Sequence, residues 1–278
     1  MATTKADLAK LAGTDVKIAI TPEEYGPVIS APPFVFVDGT FNTRDLGLVP
    51  ESPLRANFAF RSGAITGLTD NGKAVLTGKL GVKRVFDLRS PDERNRMPDP
   101  VIDGVENTWI WSGRPESKPD LTKFVAGEGE AGYEDMYLEV IDIYVDSWKA
   151  ILEHVRDRPE DPFLVHCTAG RDRTGVFGSL LLALAGASED AIFADWQLSR
   201  IGTEPMRAML IEFAKQGSDA YGDDQPGFYN LVSMRKSCWQ AFTTGLEKQY
   251  GGFEKLVTGK LGFSQDDLAK IKKNLTTA

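Results

Sequence analysis

The sequence predicts an α/β fold, and two patterns on either side of one short loop are the main reason. Residues 163–165 form an apolar, partly β-branched run that begins after Asp161 and Pro162, which is typical of a buried strand. Residues 176–185 are apolar almost all round and end at Gly186, which is typical of a helix packed in a core. A chain of 278 residues that is 42% hydrophobic can bury a large core, so one enlarged domain fits it better than two small ones.

The other elements follow from apolar spacing and from the positions of proline and glycine. Apolar residues recur at three-four spacing over 133–155, which predicts one long amphipathic helix before the strand. The chain after Ser199 is predicted to be wholly helical. The remaining predictions, in chain order, are a helix at 5–11, a strand at 35–37, a helix at 66–80, a strand at 82–88, a loop at 92–101, a strand at 108–111, a helix at 205–215 capped by Thr203, and closing helices within 247–275.

Charge and composition exclude several classes of protein. The net charge of −8 argues against a general partner of nucleic acid or of acidic membranes. No run of about 18 apolar residues is present, which argues against stable membrane insertion. The first eight residues lack the apolar core of a secretory signal, and two cysteines do not make a disulfide framework. We therefore expect a cytoplasmic protein, and the sequence gives no indication of its oligomeric state.

The loop between the strand and the apolar helix is the most informative part of the chain. A glycine-containing loop that opens a helix can turn successive N–H groups toward an anion, and the helix N-terminus adds about half a positive charge. An arginine in the loop can grip two phosphate oxygens in a planar fork, and the same charges favour a thiolate over a thiol. The segment reads His166-Cys167-Thr168-Ala169-Gly170-Arg171-Asp172-Arg173-Thr174-Gly175.

This arrangement predicts phosphate chemistry on a cysteine. Cys167 would attack phosphorus in line, while Arg173 and the loop amides hold the phosphate oxygens. Thr174 could donate its hydroxyl to the sulfur and ease its departure when water hydrolyses the cysteinyl phosphate. No metal or other cofactor is predicted, because the loop dipoles and Arg173 already neutralise the charge. His166 is expected to orient the loop by hydrogen bonding.

Three alternatives remain beside this prediction. Cys167 could be a buried structural thiol, which is the usual fate of a free cysteine. The loop could bind phosphate without catalysis. The protein could also be another thiol enzyme, such as a sulfurtransferase or an arsenate reductase. A reductase needs a resolving thiol, and Cys238, the only other cysteine, lies in a predicted helical stretch at 234–242 where a core role is favoured.

The loop and several ordered motifs resemble the atypical tyrosine/serine phosphatases of bacteria and fungi. This resemblance implies a sheet of the protein-tyrosine-phosphatase type with a largely parallel centre, flanked by helices, with extra helices in the C-terminal third. It also implies one phosphatase domain over 1–278, with 1–40 as an N-terminal extension, and a substrate that is a phosphorylated protein or a phosphoinositide. Some relatives cover their site with a helical lid, for which 203–237 is the candidate; the alternative is an ordinary surface excursion. The motifs outside the loop are 41–47, 60–63, 85–94, 195–199 and 250–253.

The resemblance also suggests roles for individual residues. It implies that Asp172 is the general acid for the leaving group, and the alternative is that Asp172 caps or salt-bridges the loop. Asp87, at the end of a predicted strand, is the second candidate acid. Arg171 stands where many relatives carry lysine, so it either recognises a second anionic group or pairs with a carboxylate. Arg44, with Thr168, Ala169, Gly170 and Thr174, completes the predicted substrate-binding set, although a salt bridge is an equal alternative for Arg44.

Overall fold

A five-stranded sheet forms the centre of the computed structural model, which describes residues 4–222 and 224–277. The strand order is β1-β2-β5-β3-β4, and every neighbouring pair is parallel except the antiparallel pair β1–β2. The predicted α/β class and parallel centre are therefore confirmed. The strands are β1 (Arg44–Asp45), β2 (Ala59–Ser62), β3 (Arg84–Asp87), β4 (Glu106–Trp109) and β5 (Phe163–His166).

Helices flank the sheet, and the described residues after Ser199 form helices and connecting turns without a strand, as predicted. They are α1 (Lys5–Ala12), α2 (Pro22–Ile29), α3 (Asp70–Ala74), α4 (Pro91–Arg96), α5 (Glu130–Ile143), α6 (Val145–Asp157), α7 (Arg173–Ala185), α8 (Glu189–Gly202), α9 (Arg207–Ser218), α10 (Phe228–Leu231), α11 (Lys236–Tyr250), α12 (Phe253–Lys255) and α13 (Gln265–Thr276). Short 3₁₀ turns occur at Leu46–Leu48, Leu121–Phe124 and Glu204–Met206, and π turns at Val75–Lys79 and Leu256–Lys260. Within the described residues, the helices are all too short or too polar to cross a bilayer.

The unit that carries the candidate loop is the one the sequence predicts best. Strand β5 lies between β2 and β3 and is buried along its whole length. Helix α7 is buried on nearly all sides, and Phe177 on it stacks on Trp148 with ring centroids 4.8 Å apart. Gly186 ends the helix at a φ of 93°, a left-handed conformation that glycine adopts without strain. The loop between β5 and α7 therefore has a rigid support on both sides.

Three predicted elements are wrong: the strand at 35–37, the loop at 92–101 and the single helix at 133–155. The strand at 35–37 does not form: pairing there is one isolated bridge between Phe34 and Arg44, and Phe36 is exposed. Residues 92–101 begin as helix α4 instead of a loop, because Ser90 and Glu93 form a reciprocal capping box that outweighs the later prolines.

The long helix predicted at 133–155 is two helices that meet at Tyr144. The backbone of Tyr144 leaves the helical region, at φ −94° and ψ 20°. The indole Nε1 of Trp148 donates to the carbonyl oxygen of Ile141 at 3.2 Å, which provides a partner for a carbonyl near the break. Apolar spacing continued across this break, so the period alone could not reveal it.

Two helix starts also differ from prediction. Helix α3 begins four residues later than predicted because Thr69 caps it, accepting from the N–H of Gly72 at 3.1 Å. Thr203 does not cap α9, since its hydroxyl donates to the carbonyl oxygen of Ser199 at 2.7 Å and a 3₁₀ turn intervenes.

Candidate active site

Cys167 and Arg173 both line a cavity of about 220 Å³ at the carboxyl end of β5. Cys167 directly follows β5 and is 2% exposed, and Arg173 is the first residue of α7. Open α/β sheets place their ligands at this edge, beyond the carboxyl ends of the strands. The sequence prediction that the loop forms a site at the end of a strand agrees with this placement.

The carbonyl oxygens of the loop are held by groups outside it. Thr168 accepts from the N–H of Ala64 at 3.0 Å, and Asn42 Nδ2 donates to the carbonyls of Ala169 and Gly170, at 3.1 Å each. With the carbonyls tied outward, the N–H groups of 168–172 are the donors available to a bound oxyanion. Gly170 has a φ of 65°, and a Cβ there would collide with the carbonyl of Ser62. Only glycine fits this position without rebuilding the loop.

A buried cluster of Arg44, Arg61 and Asp195 lies directly beneath the loop. The carboxylate of Asp195 accepts from Arg44 Nε at 2.7 Å and also from Arg61 Nη1. Arg61 Nη2 then donates to the carbonyl oxygen of Gly170 at 2.7 Å. Two guanidinium groups share one carboxylate, so the cluster carries an excess positive charge under a loop shaped for anions.

Ionisation within this cluster follows from burial and charge. Burial and the neighbouring Arg61 lower the pKa of Arg44 to about 10. Burial alone would raise the pKa of Asp195, but the charges of Arg44 and Arg61 outweigh it and lower that pKa. Arg44 is fully buried, and its remaining donors bond Asn42 and Ser199. The structure therefore places Arg44 beneath the loop, out of reach of substrate, and favours the salt-bridge alternative.

Arg173 is held by a carboxylate that the sequence analysis did not identify. Its Nη1 and Nη2 donate to the two oxygens of Glu93, at 2.7 and 2.8 Å, and its Nε lies 3.5 Å from Glu116 Oε1. Thr168 Oγ1 also donates to Glu93. Burial would raise the pKa of Glu93, but the charge and hydrogen bonds of Arg173, with the bond from Thr168, hold it well below its usual range.

Glu116 is a second missed residue, and it lines the same cavity as Cys167. Its Oε1 accepts from the hydroxyl of Tyr144 at 2.7 Å. The capping pattern Ser90-x-x-Glu93 could have drawn attention to Glu93 as a helix residue, but nothing in the sequence connects either glutamate with Arg173.

Asp172 faces the cavity and has fixed partners on its other side. The hydroxyl of Tyr137 donates to Asp172 Oδ1 at 2.8 Å, and that hydroxyl in turn accepts from Trp196 Nε1 at 3.0 Å. Arg171 Nε donates to both oxygens of Asp172, at 3.0 and 3.1 Å. Asp172 is thus salt-bridged to Arg171, which matches the prediction of a loop salt bridge. It also lines the cavity, as a general acid must.

Arg171 is committed to contacts within the protein. Besides Asp172, it donates from Nη1 to the carbonyl of Val232 at 3.0 Å and from Nη2 to that of Leu231 at 3.2 Å. This geometry matches the predicted pairing with a carboxylate. It also engages N–H groups of Arg171 that recognition of a second anion would need.

Asp87 lies behind the loop in a separate network. Arg89 donates from Nε and Nη2 to the two oxygens of Asp87, at 2.9 Å each, and from Nη2 to Asp99 at 2.7 Å. His166 Nε2 lies 3.0 Å from Asp99 Oδ2, and its Nδ1 is 3.4 Å from the carbonyl oxygen of Cys167. The Asp87 side chain is fully buried, so the structure does not bring it to the cavity. Although His166, Asp87 and Asp99 are close enough to hold a metal, Arg89 already occupies both carboxylates.

The two remaining predictions concern Thr174 and Cys238. Thr174 is buried, and its hydroxyl has no hydrogen-bond partner within the described part of the chain, so donation to the Cys167 sulfur stays a prediction. Cys238 is fully buried in α11, where burial raises the pKa of its thiol to about 11. Its Sγ donates to the carbonyl oxygen of Glu128 at 3.2 Å, so its core role is as predicted.

A cavity with a loop cysteine, a helix-start arginine and a supported anion-binding backbone defines a phosphoric monoester hydrolase of the protein-tyrosine-phosphatase type. The chain belongs to the tyrosine phosphatase family, which matches residues 35–277. The resemblance seen in the sequence motifs is therefore confirmed.

Similar proteins of known name come from several bacteria. A tyrosine-protein phosphatase of Nostoc commune is 28% identical over 217 residues, covering 76% of this chain and 71% of that protein. The triple specificity protein phosphatase PtpB of Mycobacterium tuberculosis is 28% identical over 209 residues, covering 65% and 74%. Among solved structures, the core catalytic domain of the PP-IP phosphatase SIW14 from S. cerevisiae gives a TM-score of 0.33 at 15% identity, covering 59% of this chain and 89% of that one.

Replacing Asp195 with asparagine is expected to destabilise the protein by about 3–5 kcal/mol, because it leaves two buried guanidinium groups without a counter-charge. Denaturant unfolding followed by circular dichroism measures the change. The control is Asp190→Asn on the same helix, whose ion pair with Lys236 is exposed to solvent and should contribute little to stability. Equal effects of the two substitutions would contradict the stabilising role of the cluster.

Glu93 is expected to make stability depend on acid pH. Since its folded pKa is below its unfolded value, its contribution is complete above about pH 5 and is lost as the pH falls. The free energy of unfolding of Glu93→Gln should therefore decline less between pH 6 and pH 3 than that of the wild type. The exposed Glu254→Gln serves as control, and a decline as steep in Glu93→Gln as in the wild type would refute the pairing with Arg173.

Proposed function

We propose that this protein hydrolyses phosphotyrosine through a cysteinyl phosphate on Cys167, without a metal or other cofactor. The observation that carries the proposal is the placement of Cys167 and Arg173 on one cavity, on a loop whose Thr168, Ala169 and Gly170 carbonyls bond groups outside the loop. In the first step the sulfur–phosphorus bond forms as the bond to the tyrosine oxygen breaks. In the second step water attacks phosphorus and the thiolate leaves.

Charge in this reaction is balanced by groups around the loop. Arg173, the amides of 168–172 and the N-terminus of α7 would hold the equatorial oxygens of the phosphoryl group. Thr174 would donate its hydroxyl to the departing sulfur. The excess positive charge of the Arg44–Asp195–Arg61 cluster adds to the field behind the loop. Glu93 bonds Nη1 and Nη2 of Arg173 and does not bond its Nε. A phosphate oxygen would take the place of Glu116 beside that Nε.

Asp172 is the proposed general acid and base. It donates a proton to the tyrosine oxygen as that oxygen leaves, and it takes a proton from the attacking water afterwards. Its side chain lines the cavity and is 27% exposed, whereas Asp87 is enclosed by Arg89. Tyr137 and Arg171 hold the carboxyl group in one orientation, which a proton donor requires.

An aryl phosphate suits the cavity better than a phosphoinositide. Beyond the loop, the walls include the apolar side chains of Met136, Val140, Ile211 and Val232, which can pack on an aromatic ring. Arg171 Nη1 and Nη2 already bond the carbonyls of Val232 and Leu231, which makes the side chain less suited to bind a second phosphate group. The name of the mycobacterial relative, a triple specificity protein phosphatase, supports testing more than one class of substrate.

We also propose that 203–237 acts as a lid within one phosphatase domain over 1–278. Leu210, Ile211 and Ala214 of α9 line the cavity that contains Cys167, so this helix covers the site. Apart from Ser218, no residue of α9 is fully buried, which is typical of a segment that packs loosely enough to move.

Replacing Cys167 with serine is expected to lower kcat at least about 10³-fold, because the serine hydroxyl is a far weaker nucleophile, while phosphate still binds. Release of phosphate from phosphotyrosine, phosphoserine and phosphoinositide substrates in the presence of a chelator measures activity, and calorimetry measures binding. Cys238→Ser is the matched control and should retain activity. A fully active Cys167→Ser protein would refute the mechanism, and a wild type that binds these substrates without hydrolysing them would indicate a binding module.

Asp172→Asn is expected to reduce kcat about 10²- to 10⁴-fold and to remove the limb of the pH–rate profile that reports loss of the acid's proton. The loss should be smaller for a substrate with a good leaving group, such as p-nitrophenyl phosphate, than for phosphotyrosine. Asp87→Asn and Glu116→Gln are the comparison variants. If either of them removes the limb and Asp172→Asn does not, the assignment of the acid is incorrect.

A further inference from the structure

One wall of the active-site cavity comes from a segment that precedes the family match. Val16 lines the same cavity as Cys167 and Arg173 and is 9% exposed. Because the family match begins at residue 35, membership of the family does not account for this wall. The wall belongs to the region that the sequence analysis treated only as an N-terminal extension.

Two arginines hold the backbone of this segment in place. Arg200 donates from Nε to the carbonyl of Thr14 at 3.2 Å and from Nη2 to that of Ile18 at 2.5 Å. Arg207, at the start of α9, donates to the carbonyl of Val16 itself. The carbonyl groups of Thr14, Val16 and Ile18 are therefore held by side chains from the end of α8 and the start of α9.

A buried carboxylate completes the attachment. Glu204 accepts from the N–H of Ile20 at 2.7 Å and also bonds Arg200. Arg200 and Glu204 are 4% and 6% exposed, so each depends on the other and on the segment for its partners. The same extension packs Leu8, Ala12 and Ile20 against Leu198 and Ile201 of α8. The position of Val16 is thus determined by polar and apolar contacts together.

Between the loop and Val16 the cavity offers apolar side chains. Met136 and Val232 line it, and Ile211 lines it from α9. A phosphate held at Cys167 would direct its leaving group into this space, and Val16 forms part of its wall. A fixed β-branched side chain at that place excludes additional atoms by contact, since it cannot move aside without breaking the bonds at 14–20.

We propose that Val16, fixed in place by the backbone contacts of residues 14–20, is a specificity wall of the active site and limits the length of the aryl or other apolar group attached to the phosphate. This inference rests on the proposed function for its reaction. It assigns to the N-terminal extension the selection of substrate, while the chemistry stays with the loop.

The test compares two substrates of different length, phenyl phosphate and biphenyl-4-yl phosphate. Val16→Trp should lower kcat/KM for the biphenyl substrate at least about tenfold, through KM, and change that for phenyl phosphate about twofold or less. Val16→Ala should shift the ratio in the opposite direction. The control is Ile18→Trp, because the side chain of Ile18 is 59% exposed on the same segment. It should leave the ratio unchanged.

Thermal unfolding of each variant separates misfolding from selection, and Val16→Ala keeps the test open if the tryptophan is not tolerated. Equal changes for the two substrates, or an unchanged ratio in folded Val16 variants, would overturn the proposal. Calorimetric binding of both phosphates in the Cys167→Ser background gives the same comparison without turnover. A protein that hydrolyses neither substrate but discriminates their lengths through Val16 would refute the proposed function and support the wall.

Discussion

The shared carboxylate of Asp195 is the interaction on which the rest of the site depends. It brings Arg44 of β1 and Arg61 of β2 to one point of α8. Through Arg61 the same cluster reaches the carbonyl of Gly170, so the sheet, a helix and the loop share one network. Loss of this network would leave buried charges without partners and would also release the loop. The stability of the fold and the geometry of the loop therefore depend on the same contacts.

The protein concentrates positive charge locally although its net charge is −8. The buried cluster supplies one unbalanced charge beneath the loop, whereas the charge of Arg173 at the cavity is paired with Glu93. Glu93 restrains Arg173 and keeps a buried carboxylate satisfied, so the arginine is oriented before a phosphate arrives. Such preorganisation avoids rearranging charges during the reaction, where it would cost the most.

The walls of the site come from parts of the chain that are far apart in sequence. The loop, α9 and Val16 all line the cavity, and Arg200, Glu204 and Arg207 hold the backbone around Val16. Because these residues join the extension to the base of α9, the proposed lid has an anchored end. Any motion that admits substrate would then be confined to the remainder of 203–237, whose carboxyl end is held by the contacts of Arg171.

The sequence by itself determined the loop, its flanking strand and helix, the α/β class and the family. It could do so because Cys167, Gly170 and Arg173 are neighbours in the chain, and because apolar runs specify β5 and α7 locally. Tertiary structure alone decided what Arg44 and Arg171 contact, since the burial of Arg44 and the bonds of Arg171 to Leu231 and Val232 depend on partners that are distant in the sequence. It also placed Glu93 and Val16 at the site, through contacts that span many residues and leave no local pattern. The break at Tyr144 could not be predicted either. Apolar spacing indicates which face of a helix is buried, and it does not indicate whether the helical backbone is continuous.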